Sequence, residues 1–349
     1  MNLRRRTLAT IATASALALA CTTLPQTVLA QPKYKSEYKM SLVLGTAFPW
    51  GKGGEIWAKL VRERTDGRID IKLYPGASLL QGDQTREFSA LRQGVIDIAV
   101  GSTINWSPQI KQLNLFSLPF LLPDHAAIDA LTQGDVGKEL FSILDKAGVV
   151  PLAWGENGFR EVSNSKHPIK TPADLKGLKV RVVGSPLYLE TFSALGANPT
   201  QMSWADAQPA MASGAVDGQE NPLSVYMAAK LQTLGQKYLT LWGYVADPLI
   251  FVVNKRVWAS WTPEDQAIVR QAAIDAAREQ IAIAREGLTE ADQPLVKELT
   301  DMGVTVTKLA PAEREAFVTA TKPVFDKWKA QIGPDLVDAA QAAIARRRQ

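Results

Sequence analysis

Cysteine is nearly absent from this chain of 349 residues, with Cys21 as its single example. Disulfides, zinc thiolate sites and cysteine nucleophiles all require this residue, so the chain beyond Cys21 has none of them. Histidine is almost as rare, since only His125 and His167 occur. Neither stands in a catalytic motif, and HExxH, GxSxG and GxxxxGK(S/T) are all missing. The carboxylates show no metal-ligand spacing, so nothing supports a metal site, and an enzyme that uses acid–base pairs is unsupported rather than excluded.

Long apolar runs and an excess of charge of one sign are also lacking. No uncharged apolar run approaches the roughly 18–20 residues that span a bilayer, which excludes a multi-pass membrane protein. The formal net charge of +4 comes from arginines at residues 4–6 and 346–348, and the other 33 basic residues face 35 acidic ones. Nucleic-acid binders usually carry a basic face, so the composition argues against a nucleic-acid partner.

The first thirty residues have the three parts of a secretory signal peptide. Residues 1–6 are positively charged, residues 8–20 are apolar, and Ala30 ends a stretch of small residues that suits cleavage. We therefore expect a periplasmic protein cleaved after Ala30. Two variants stay open: Arg5 and Arg6 form a loose twin-arginine pattern, and Cys21 is a candidate for lipidation.

Strand and helix patterns alternate along the rest of the chain. The first cycle predicts strands at 40–44, 69–74 and 96–100, with helices at 53–64 and 84–93. A second cycle predicts strands at 149–154, 179–183 and 217–220, with helices at 186–195 and 205–213. A strand at 249–253 precedes a helical region that starts after Thr262, runs past Gly287 and breaks near Pro294. Two more helices, at 313–321 and 335–347, complete an α/β pattern in which helices flank mostly parallel sheets, arranged as two lobes.

Two arginines stand out as candidate binding residues. Arg160 belongs to the segment Asn157-Gly158-Phe159-Arg160, which we expect to follow the end of a strand. Arg181 lies among valines on a predicted buried strand, where a guanidinium is costly unless it meets an anion. That anion is either an internal Asp or Glu, or the carboxylate of a ligand, which the planar fork of arginine binds with two parallel hydrogen bonds.

Several segments resemble one known family, the substrate-binding proteins of tripartite ATP-independent periplasmic (TRAP) transporters, the DctP family. The resemblance covers nearly all of residues 40–300. The matching segments are GVIDIAV (94–100), LPF (118–120), GENGFR (155–160), TPADLKGLKVR (171–181), GANPTQM (196–202) and SGAVDGQENP (213–222).

The resemblance implies a two-lobed periplasmic-binding-protein fold with hinge strands and a long connecting helix. Each lobe would hold a mostly parallel sheet flanked by helices. Lobe I would comprise residues 31–157 plus about 246–286, and lobe II about 158–245 plus 287–349. A small organic acid would bind in the cleft between the lobes and pass to the TRAP membrane subunits, without catalysis and without a cofactor.

The resemblance also implies the residues of the site. Arg181 stands at the position of the main carboxylate clamp and Arg160 at that of a second arginine. Asn221 corresponds to a ligand-contacting asparagine, and Trp204 to an aromatic residue that packs on the ligand. Ser102, Asn157 and Tyr244 complete the predicted set.

The identity of the acid stays open at this stage. Asp206 and Gln208 depart from the glutamate and tyrosine of the family pattern, close to the expected cleft. A four-carbon dicarboxylate is the family default, and hydroxy, keto, aromatic and sugar acids are the alternatives. Trp204, with Trp106 nearby, would favour a flat or ring-bearing acid unless both tryptophans belong to the core. The alternative functions are a periplasmic ligand-sensing protein and an enzyme on the same fold.

Overall fold

The computed structural model describes residues 34–288 and 293–347. The predicted signal peptide, its cleavage site at Ala30, and Cys21 lie outside the described residues. Within the described ranges, no helix has both the length and the apolar character that a membrane crossing requires.

Ten strands form the sheet of the described chain. They are β1 (Tyr38–Ser41), β2 (Ile71–Tyr74), β3 (Ile98–Ser102), β4 (Val149–Asn164), β5 (Lys179–Val182), β6 (Asn198–Gln201), β7 (Gly218–Pro222), β8 (Tyr238–Leu241), β9 (Ala246–Asn254) and β10 (Thr305–Lys308). The main order is β2-β1-β3-β9-β4-β7-β5-β6, and β8 pairs with both β4 and β10.

Thirteen α-helices cover this sheet in the part of the chain that the structure describes. They are α1 (Pro49–Arg64), α2 (Glu87–Gln93), α3 (Thr103–Trp106), α4 (His125–Thr132), α5 (Asp135–Lys146), α6 (Pro186–Ala194), α7 (Trp204–Ala212), α8 (Leu223–Ala228), α9 (Lys255–Ser260), α10 (Pro263–Ala284), α11 (Gln293–Asp301), α12 (Pro311–Ile332) and α13 (Pro334–Arg346). Short 3-10 helices lie at Ser78–Leu80, Gln84–Arg86, Lys111–Ser117, Pro172–Leu175 and Leu231–Leu234.

The two ends of the sheet are parallel and its centre is antiparallel. Strand β1 runs parallel to β2 and β3, and β5 runs parallel to β6 and β7. Strand β9 is antiparallel to both β3 and β4, and β4 is antiparallel to β7. The predicted two-lobed α/β fold is confirmed, and β4 pairs with strands of both halves.

Strand β4 is longer than the sequence predicted, because Asn157-Gly158 lies inside it and does not end it. The strand spans 16 residues and continues through a register shift between Glu156 and Gly158. Gly158 has φ of 123°, a conformation that costs glycine little, so the chain bends at a bulge and stays paired. The pair Asn-Gly usually marks a hairpin turn, which explains why the strand was predicted to stop early.

The long connecting helix α10 is fixed to β4 at this bulge. The side chain of Gln280 accepts a hydrogen bond from the Glu156 amide at 2.8 Å and donates one to the Glu156 carbonyl at 2.6 Å. Gly155 provides the space, since a Cβ there would lie 2.8 Å from the Gln280 side chain. The helix ends at Ala284 and does not run past Gly287 as predicted, and the Arg285 side chain pairs with Glu156 and Asp129.

A buried carboxyl group lies in the core beneath β1 and β3. Glu87 is fully buried and accepts hydrogen bonds from the Ser41 hydroxyl at 2.7 Å and the Trp106 indole at 3.1 Å. Burial raises the pKa of Glu87 to about 7, since the two hydrogen bonds offset only part of the cost of desolvation. Trp106 therefore takes the core position, one of the two roles that the sequence left open.

Replacing Glu87 by Gln should flatten the pH dependence of stability. The pKa of Glu87 in the folded protein lies above the ordinary 4.5, so the folded state binds its proton more tightly. The contribution of Glu87 to the free energy of unfolding therefore falls as pH rises from 4.5 to 7, and the Glu87→Gln variant should lose about 2 kcal/mol less stability than the native protein over this range. Urea denaturation of both proteins at several pH values between these limits measures the difference. The exposed Glu63→Gln variant is the control and should follow the native curve.

Candidate functional site

A cavity lies where strands from both halves of the sheet end. The empty space between its walls and at its open mouth is about 290 Å³. In such sheets, ligands bind at the carboxyl ends of parallel strands, and β1, β3, β5 and β7 all deliver residues to this wall or continue into it. The lining residues are Val43, Leu44, Trp50, Gln84, Ser102, Asn105, Asn157, Arg160, Arg181, Val183, Trp204, Asn221 and Asp247. Six of the seven predicted site residues are in this set, and Tyr244 is not.

Arg181 carries a buried charge that the protein leaves partly unused. Its side chain leaves β5 and is 1% exposed. Nε and Nη2 donate to the carbonyl of Met202 at 3.0 and 2.8 Å, whereas the buried Nη1 has no hydrogen-bond partner among the described residues. Burial lowers the pKa of Arg181 to about 10; nearby Glu220 opposes this change and Arg160 adds to it. The site therefore holds a cation that lacks a hydrogen-bonded counter-ion.

Arg160 is also buried, but its charge is offset within the protein. Nε donates to Glu220, and Nη2 donates to both the carboxylate and the carbonyl of Glu220, at 2.9 and 2.7 Å. Nη1 donates to Asp247 at 3.2 Å. The internal ion pair that the sequence left open for Arg181 is thus made by Arg160 instead.

Asp247 on β9 gathers three donors from the cavity wall. Ser102, at the end of β3, donates to Oδ1 at 2.5 Å, and Asn157 on β4 donates to Oδ2 at 2.8 Å. Arg160 donates to the same Oδ2. Burial raises the pKa of Asp247 from its ordinary value, and these three donors oppose the rise. Strands β3, β4 and β9 are held in register here by side chains as well as by backbone.

Asn221 lies in the cavity wall, whereas Tyr244 lies behind it. Asn221 lines the cavity, accepts from Arg160 at 3.1 Å, and donates to Gln219. Tyr244 is almost fully buried, and its hydroxyl donates to Glu220 at 2.9 Å. Tyr244 thus stands one layer behind the wall and supports Glu220.

Trp204 is both a core residue and part of the wall. It begins α7, is 8% exposed, and its ring centroid lies 5.8 Å from the Arg181 guanidinium carbon. Its backbone amide donates to Gln84 at 2.9 Å, and Gln84 in turn donates to Asn105 at 2.7 Å. Trp204 therefore covers the charge of Arg181 and is tied through Gln84 to the opposite side of the cavity.

Sequence reasoning missed several lining residues, chiefly Gln84, Asn105, Trp50 and Asp247. Gln84 and Asn105 sit in short helical turns with no distinctive pattern. Asp247 was the most accessible to prediction, because an acid inside the apolar strand β9 requires a buried partner. Among residues 34–288 and 293–347, no cluster of three or more His, Cys, Asp or Glu side chains is arranged to hold a metal ion.

Fold and cavity together define a two-lobed solute receptor. The strand ends of both halves enclose a small space, and one buried cation in its wall keeps a free donor.

Comparison with known proteins gives the family. The sequence profile of the bacterial extracellular solute-binding proteins, family 7 (DctP), matches residues 40–331. A TRAP periplasmic solute-binding protein from Ralstonia eutropha, solved with bound (S)-2-hydroxy-2-methyl-3-oxobutanoate, that is (S)-2-acetolactate, is 73% identical. The two structures align with a TM-score of 0.89, covering 90% of this chain and 100% of the other.

Two curated relatives support the same assignment. The 2,3-diketo-L-gulonate-binding periplasmic protein of Escherichia coli is 35% identical over 284 residues, or 80% of this chain and 84% of the relative. The C4-dicarboxylate-binding periplasmic protein of Rhodobacter capsulatus is 31% identical over 345 residues, or 98% and 99% of the two chains. The chain belongs to the DctP family of TRAP solute receptors.

The two arginines should respond differently to removal of their charge. In the ligand-free protein, Arg181→Met removes a poorly satisfied buried cation, so the free energy of unfolding should stay within about 1 kcal/mol of the native value or rise. Arg160→Met leaves Glu220 and Asp247 unpaired and should cost about 3–5 kcal/mol. Urea denaturation of both variants without ligand is the measurement. Equal losses would contradict the view that only Arg160 is paired internally.

Proposed function

We propose that this receptor binds a small branched hydroxy-keto monocarboxylate of the (S)-2-acetolactate type and delivers it to TRAP membrane subunits. The free Nη1 of Arg181 is the observation that carries this proposal. A ligand carboxylate would satisfy that donor and supply the hydrogen-bonded counter-ion that the protein does not provide. The receptor would release the same molecule that it binds, without making or breaking a bond.

The polar groups around Arg181 suit a short acid that carries hydroxyl or carbonyl groups. Ser102, Asn157 and Asn221 line the cavity, as do Gln84 and Asn105. Side chains of this kind recognise such groups through neutral hydrogen bonds. The narrow space between these side chains favours a compact acid. The ligand of the Ralstonia eutropha protein, at 73% identity, belongs to this chemical class.

The apolar part of the wall accounts for a branched carbon skeleton. Val43, Leu44 and Val183 line the cavity, and Trp50 and Trp204 contribute aromatic surface. Burial of a methyl group against such a surface is favourable by roughly 0.8 kcal/mol. With Trp106 in the core, the support for a ring-bearing acid is reduced to Trp204 and Trp50.

The lobe boundaries that we propose follow the change of partner along β4. Residues up to Phe159 pair with β9, whereas Arg160 and the residues after it pair with β7. This agrees with the expected division, in which lobe I holds 31–157 and about 246–286, and lobe II holds about 158–245 and 287–349. Bending at the bulge beside Gly158 would then open and close the cleft around the acid.

Direct titration tests the proposed ligand class. The native protein should bind (S)-2-acetolactate in isothermal titration calorimetry, and the ligand should raise the melting temperature. Arg181→Lys should bind at least about a hundredfold more weakly, since a point charge cannot reproduce the two parallel hydrogen bonds of a guanidinium. Lys52→Arg, on the exposed face of α1, is the control and should bind normally. Native-like affinity in Arg181→Lys would contradict the assignment of Arg181 as the clamp.

Export to the periplasm belongs to the same proposal, and it rests on the composition of residues 1–30 and on the periplasmic names of the relatives. Mass spectrometry of the exported protein should place Gln31 at or within a few residues of the N-terminus. A diacylglyceryl group on Cys21 would instead show that the chain is processed as a lipoprotein.

A further inference from the structure

Asp247 is the only acid among the described residues that line the cavity. It lies on β9, is 1% exposed, and faces the same space as Arg181. A buried carboxylate is an expensive component for the receptor of an anion, because it repels the ligand. The contacts of Asp247 indicate what it contributes in return.

These contacts make Asp247 one of the two acids that are hydrogen-bonded to Arg160. Its Oδ2 accepts Arg160 Nη1 at 3.2 Å and Asn157 at 2.8 Å, and its Oδ1 accepts Ser102 at 2.5 Å. Glu220, which lies behind the cavity wall, accepts hydrogen bonds from Nε and Nη2 of the same guanidinium. Arg160 thus has two acids bonded to it, one on each side, whereas no acid among residues 34–288 and 293–347 bonds to Arg181.

The charges near the cavity therefore balance one ligand carboxylate and no more. That carboxylate pairs with Arg181. A second carboxylate on the same small acid would find Arg160 already bonded to two acids, and it would lie in the same cavity as the charge of Asp247. Close like charges in a poorly hydrated site cost several kcal/mol, so the second charge would be rejected.

We propose that Asp247 is a specificity-determining residue that makes this receptor select monocarboxylates over dicarboxylates by occupying Arg160 and repelling a second ligand charge. This inference rests on the proposed function. It assigns to one side chain a preference that the family as a whole does not share, since the Rhodobacter capsulatus relative is named for binding C4-dicarboxylates.

Two acids of nearly the same shape test the proposal. In 2-hydroxy-2-methylmalonate, a carboxylate replaces the acetyl group of 2-acetolactate, so the pair differs mainly by one charge. The native protein should bind 2-acetolactate at least about tenfold more tightly, as expected when a like charge must be placed beside a buried one. Asp247→Asn keeps the shape of the side chain, removes its charge and leaves Arg160 Nη1 without an acid partner on this side. The preference should then shrink by about tenfold or more, mainly because the dicarboxylate binds better.

Asp217→Asn is the matched control. It removes another largely buried aspartate charge, paired with Lys166 at 3.2 Å and absent from the cavity wall, and it should leave the ratio unchanged. Asp247→Ser is the second charge-removing variant and should shift the ratio in the same direction if Asp247→Asn folds poorly.

The outcomes separate this inference from the proposed function. If the native protein binds 2-acetolactate and both Asp247 variants weaken the two acids equally, Asp247 only supports Arg160 and the specificity role is wrong. If the native protein shows no preference between the acids, the role is also wrong while the proposed function stands. If the native protein binds neither acid, the proposed function fails and the inference fails with it.

Discussion

A buried guanidinium with a free donor is the constraint around which this cavity is built. Removing the Arg181 guanidinium from water is costly, and its hydrogen bonds to the carbonyl of Met202 offset only part of that cost. The wall around it therefore has to hold the charge without neutralising it. Trp204 covers it with an aromatic face, and Glu220 influences it without a hydrogen bond. The cavity thus keeps a positive charge without a bonded acid among the described residues, and a bound anion would supply one.

The neighbouring arginine shows how strongly environment decides the role of a residue type. Arg160 and Arg181 are equally buried, and both line the cavity. Arg160 is surrounded by Glu220, Asp247 and Asn221, and it serves as a brace between β4, β7 and β9. Arg181 reaches a single backbone carbonyl. One guanidinium therefore organises the wall, and the other remains available to a ligand.

Much of this arrangement was predictable from the sequence, for identifiable reasons. A charged residue among valines on a buried strand has to meet an anion, and this argument alone singled out Arg181. The alternating strands and helices gave the layers, and resemblance supplied Asn221, Trp204 and Ser102. The pairing between strands that are distant in the sequence could not be predicted. Asn157-Gly158 has the local signature of a turn and becomes a bulge only because β9 pairs on both sides of it. Which arginine took the internal acids depended on β7 and β9 meeting across β4, and no local pattern encodes that meeting.

The continuous course of β4 has a consequence for how the molecule holds together. Its first part belongs to the half of the sheet that contains β1 to β3, and its last part to the half that contains β5 to β7. No cut in the chain separates the halves without leaving an edge strand unpaired on each side, and residues 34 onward cluster as a single compact unit. The two halves share one backbone ladder through β4, so neither half is a self-sufficient module. Gene fusion or fragment exchange within this family would have to carry both halves together.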